Sequence, residues 1–126
     1  MTKNPESDRP PGSPGNPIPL AADKKLLQRY YSGERLASPM GGQLDFLGVR
    51  EGGDGSGRVL LECNASSLRF VLVIPKATRT EKSKVKKMLE AGEEPHCPRH
   101  GPRQLLAKSG KELVCQLCAV SYGKVG

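Results

Sequence analysis

The chain has 126 residues, a formal net charge of +7 and a pI near 9.4. Aromatic residues make up 4% of it and tryptophan is absent, so the core must be small and mostly aliphatic, in one domain or a small core with an appended module. No apolar run approaches the roughly twenty residues that a membrane-spanning helix needs, and the basic balance favours an acidic partner, most often nucleic acid.

Residues 1–20 carry Pro5, Pro10, Pro11, Pro14, Pro17 and Pro19 among Gly, Ser and Asn. Such a stretch buries too little apolar area to offset its ordering entropy, so a disordered tail is expected. It is polar where a secretory leader is charged and then apolar, and a reducing, cytoplasmic compartment is the expectation. Residues 21–94 read as a small α+β core. Within it, Asp23 starts and Gly33 stops a short helix, whose Leu26–Tyr30 and Leu27–Tyr31 pairs supply one apolar stripe. The two tyrosines are read as packing residues.

The pattern then becomes extended. Leu44–Val49, Arg58–Cys63 and Leu68–Ile74 read as three strands of an antiparallel meander, with Phe70, Leu72 and Ile74 on one face. The GGDGSG stretch at 52–57 lacks the Gly-Lys-Ser/Thr ending of a phosphate-binding loop and precedes a strand, so it reads as a hairpin connection. Cys63 falls inside a strand and is expected to pack as a small apolar residue.

Thr78-Arg-Thr-Glu81 is a capping-box pattern that opens a helix running to Ala91 and stopped by Gly92, with Val85, Met88 and Leu89 as its apolar face. Seven basic residues lie between 66 and 90, against the two acids Glu81 and Glu90. These are Arg69, Lys76, Arg79, Lys82, Lys84, Lys86 and Lys87, and they hold most of the excess charge. They are candidate phosphate contacts.

Residues 95–126 carry the strongest signal: Cys97-Pro-Arg-His100, then the fourteen residues 101–114, then Cys115-Gln-Leu-Cys118. Each pair has the spacing that aims two side chains at one ion from a single turn, and three thiolates with one imidazole make a complete tetrahedral shell. Pro98 stiffens the first turn, and Gly101 is free to take positive φ behind it. A reduced dithiol of the CxxC type is the competing reading. Gln104–Ala107 and Glu112–Cys115 are the expected strands, with Leu105 or Leu106, Leu113, Val114 and Val120 below them and Tyr122 at one side.

The two pairs resemble the knuckles of a zinc ribbon, with His100 in place of the more usual second cysteine. The resemblance covers residues 95–123. It implies a structural Zn²⁺ held by Cys97, His100, Cys115 and Cys118, with His96 as the alternative imidazole. Four protein ligands would leave no open position for water or substrate. No serine nucleophile, paired catalytic carboxylates or cofactor loop stands out, and no enzymatic activity is expected.

The expected whole is an α+β protein, a β-meander with one or two helices and a C-terminal zinc ribbon. It would bind DNA or RNA phosphates through the basic helix together with Arg99 and Arg103 of the ribbon. The alternative is an adaptor or inhibitor that docks on a larger protein or nucleoprotein complex.

Overall fold

The computed structural model describes residues 10–124. Nine elements follow one another: β1 (Ile18–Pro19), α1 (Lys24–Tyr31), β2 (Leu44–Glu51), β3 (Gly57–Cys63), β4 (Arg69–Ile74), α2 (Arg79–Glu90), β5 (Leu106–Ser109), β6 (Glu112–Cys115) and β7 (Ser121–Lys124). They form two sheets, ordered β1-β4-β3-β2 and β5-β6-β7, in an α+β arrangement.

Local signals set the first sheet. Along β3, Gly57, Val59, Leu61 and Cys63 are buried and the residues between them are only half so. The antiparallel register of β3 with β4 places Phe70, Leu72 and Ile74 on the same covered face. Burying these side chains supplies most of the driving force available to a chain with so few aromatic residues. Cys63 is fully buried, as expected, and its thiol lies 3.2 Å from the Gly41 carbonyl.

Both helices begin where the sequence placed a cap. The Asp23 carboxylate accepts from the Leu26 amide at 2.8 Å. At α2 the box is complete: Thr78 Oγ1 accepts from the Glu81 amide at 3.2 Å, and Glu81 Oε1 accepts from the Thr78 amide at 2.9 Å. Each such cap satisfies an amide that the helix cannot satisfy itself, worth about 1 kcal/mol. Of the expected apolar face of α2, only Val85 is fully buried; Met88 is half-buried and Leu89 largely exposed.

Three expectations need correction. Residues 10–20 are not a free tail. Ile18 and Pro19 pair parallel with Phe70 and Val71, the Leu20 amide donates to the Val71 carbonyl, and the Arg69 amide donates to the Gly12 carbonyl. An outer strand tolerates proline because the missing N–H faces away from the ladder, and the edge of β4 repays the ordering. The part of the expected tail at residues 1–9 lies outside the described residues. The strand expected at 104–107 is instead Leu106–Ser109. Gln104 and Leu105 pair back onto the segment at 95–97, where the Cys97 amide donates to the Gln104 carbonyl, the Leu106 amide donates to the Pro95 carbonyl and His96 bridges to Leu105. Finally, Ser121–Lys124 adds a third strand to the second sheet that was not expected.

A single apolar cluster runs through both sheets, from Leu36 and Val59 to Cys97, Val120 and Tyr122. The closest approach is at Gly57, where an added Cβ would lie 1.6 Å from the Cys118 carbonyl oxygen. Only glycine fits there.

Candidate metal centre

Two similar turns deliver the four ligands. In the first, the Cys97 amide donates to the Gln104 carbonyl and the Gly101 amide returns to the Cys97 carbonyl at 2.9 Å. In the second, Cys115 donates to Val120, and the Ala119 amide returns to the Cys115 carbonyl at 2.7 Å. The residue after the second ligand takes a left-handed backbone in both, with φ of +91° at Gly101 and +58° at Ala119. Gly101 does this without strain. Ala119 does so at a cost of about 1–2 kcal/mol, which the surrounding structure must offset.

The ligand atoms of Cys97, His100, Cys115 and Cys118 all lie within 4.8 Å of one another, and no cysteine is in a disulfide. His100 Nδ1 is 3.5, 3.6 and 3.1 Å from the sulfurs of Cys97, Cys115 and Cys118. Its Nε2 is farther from Cys118, at 4.0 Å. Nδ1 is therefore the nitrogen that faces the common centre. His96 is not in the group; it makes a bridge to Leu105 beside the first turn. These four side chains can hold a metal ion.

Their mutual electrostatics favour a dication. Hydrogen bonds from Cys115 and Cys118 hold the Cys97 thiol far below its ordinary value, against the opposing effect of burial. Contacts with Cys115 and Cys97, and then burial, push Cys118 far above it. Burial would lower His100, but Cys115 and Cys97 outweigh it and raise the imidazole to about 9. Without an ion the cluster must therefore share protons among sulfurs too close to ionise together. A dication relieves this by replacing them.

Aromatic side chains enclose the centre. The rings of Tyr30 and Tyr31 stand edge-on to His100 at 5.6 and 5.5 Å. The Tyr30 hydroxyl donates to the Leu117 carbonyl, within the second turn. Tyr122 Oη is 3.3 Å from Cys97 Sγ, and burial keeps its hydroxyl protonated as a donor. Such outer contacts fix ligand orientation. Reading α1 for packing alone missed that its tyrosines pack on the ligand itself, and nothing in the spacing of Tyr122 pointed to Cys97.

The candidate phosphate contacts divide into two groups. Lys76, Arg79, Lys82, Lys84, Lys86, Lys87 and Arg103 are exposed and have no ion-pair partner among the described residues. Arg69 instead donates to Glu62 at 3.1 Å across the β3–β4 ladder. Arg99 is directed inward, with its side chain 10% exposed. Its guanidinium donates to both Glu81 carboxylate oxygens, to the Pro75 and Lys76 carbonyls and to the Tyr31 hydroxyl. With those bonds made, Arg99 is a staple between the first turn and the start of α2, and it is not free for a phosphate.

No protein-family model, no curated protein and no solved structure matches this chain, so its reading rests on the centre and the surfaces described above.

Proposed function

We propose that this is a non-catalytic, zinc-stabilised protein that binds nucleic acid through the exposed face of α2. The donor set supports zinc: three thiolates and an imidazole are ligands it takes in closed structural sites. Bond lengths of about 2.3 Å to sulfur and 2.0–2.1 Å to nitrogen imply tetrahedral S–N edges of about 3.5 Å. Two of the three separations at His100 Nδ1, 3.5 and 3.6 Å, match that edge. Bound there, the ion would link the two turns and so order the second sheet.

The single observation that carries the nucleic-acid reading is the row of cations on α2 that have no ion-pair partner among the described residues. Lys84 and Lys87 lie one turn apart on the exposed face, with Arg79, Lys82, Lys86 and the preceding Lys76 beside them. Exposed cations in excess over the nearby Glu81 and Glu90 can displace the counterions of a phosphate backbone, which makes binding steeply salt-dependent. Arg103, exposed in the turn before β5, is a further candidate; Arg69 and Arg99 are engaged by Glu62 and Glu81.

Gel shifts with generic duplex DNA and with RNA, at low salt and over a salt series, test this. Binding that weakens steeply with salt and is lost on Lys84→Glu/Lys87→Glu substitution supports it. No shift at low salt, with one protein co-purifying, would favour the adaptor reading instead. Elemental analysis should give one zinc per chain.

A further inference from the structure

We propose that β2 is a homodimerisation edge, pairing antiparallel with β2 of a second copy about a two-fold axis. This stands apart from the metal and nucleic-acid readings.

β2 is the outer strand of its sheet; at its start the Leu44 amide donates to the Leu36 carbonyl and Gln43 bridges to Ala37. Beyond that, over residues 46–51, the far edge has no strand partner among the described residues. Of the six exposed large apolar side chains there, Met40, Phe46 and Leu47 fall on this strand or the turn before it, at 58, 49 and 43% exposure. Beside them lies a hollow of about 400 Å³ whose walls combine Leu36, Leu44, Phe46 and Leu61 with Arg35, Asp45 and the candidate ligand His100. An unpaired strand edge bordered by apolar side chains is a template for another strand.

A second copy fits because of the bulge. Phe46 pairs with Leu61 but Gly48 pairs with Leu60, so Leu47 is an extra residue and the alternation inverts across it. Leu44, Phe46 and Val49 therefore all face the core side, opposite Cys63, Leu61 and Val59, while Asp45 and Arg50 share the open side. In a two-fold pair centred between Leu47 and Gly48, Phe46 meets Val49 of the other copy on one face. Asp45 meets Arg50 on the other. A regular strand could not satisfy both faces in this register, because directly opposed residues must share a side.

The charges argue for the same partner. Within one copy Asp45 lies opposite Glu62, and Arg50 lies opposite Arg58. Like charges directly opposed on a ladder are unfavourable. Asp45 has a contact with Arg35 and Glu62 has Arg69, but Arg50 has no acidic partner among the described residues. The second copy brings Asp45 to Arg50 twice, once on each side of the axis. The strand itself carries Asp45, Glu51 and Arg50, so edge-to-edge approach does not align the basic surfaces of a chain of net charge +7. The contact is isologous and closes on itself.

Sedimentation velocity of the full-length, metal-loaded protein tests this. At about 100 µM, a concentration suited to an interface at the small end of the stable range, the expected species is a dimer of the 13.6 kDa chain. Leu47→Asp and Arg50→Asp should each weaken dimerisation about tenfold or more, and Asp45→Arg combined with Arg50→Asp should restore it to within about threefold. Circular dichroism and thermal unfolding establish that each variant is folded, and the charge swap remains informative if Leu47→Asp is not. A monomer at this concentration overturns the proposal, as does a dimer indifferent to these substitutions or a swap that fails to rescue.

Discussion

The two sheets are held by different means. In the first, Val59, Leu61, Phe70, Leu72 and Ile74 are inward-facing residues of neighbouring strands, and the fold follows from burying them. In the second, three four-residue strands bury Leu113, Val114, Val120 and Tyr122 around three ligand cysteines. Sheets this small are marginal without a further constraint, and the ligand cluster supplies a place for one. Apolar burial extends through both sheets, only the second carries the candidate ligand cluster, and Gly57, Arg99 and Tyr30 join the two parts.

The largest effect should come from removing the coordination. Chelation, or Cys115→Ser, should cost on the order of 5 kcal/mol or more. By hydrogen exchange, amides of β5–β7 should lose protection first and amides of β3 and β4 last. Equal loss in both sheets would show that the distinction between them is wrong. Next is the seam: Gly57→Ala drives a methyl into the Cys118 backbone, and thermal unfolding should show a loss of about 3 kcal/mol or more.

The smallest effect is at the staple. Glu81→Gln should cost about 2 kcal/mol, since it leaves a mostly buried guanidinium short of its counter-charge. Its pH dependence has a definite sign. Hydrogen bonds from Arg99 hold the Glu81 carboxyl below its ordinary value, with burial opposing. The folded protein therefore binds the proton more weakly than the unfolded chain. The contribution is fully present above the ordinary carboxylate range and is lost as pH falls through the depressed folded value. Wild type and Glu81→Gln should converge in stability in acid; a constant gap would show that the carboxylate charge is not what holds Arg99.

What the sequence reveals follows how far apart the interacting groups are. The α2 capping box spans three residues, and the β2–β4 meander needs only alternation and short turns, so both are legible. The ligand set is legible because each turn presents its pair three residues apart. β1 is not, since two residues among prolines have no period and their partners, Phe70 and Val71, lie far along the chain. β7 is short, includes Gly123 and has no alternation to betray it. Arg99 reads as one more cation of a basic protein because its acceptors are 18 to 68 residues away. Composition registers a charge but not where it is used.

Glu81 has two roles. The same carboxylate closes the first turn of α2 and receives the side chain lying between two ligands, Cys97 and His100. Occupancy of the centre and fraying of that helix end are thus thermodynamically linked. On the proposed reading, an emptied site would loosen the anchorage of the lysine row well before the meander melts, so metal supply would tune how rigidly the cationic surface is displayed.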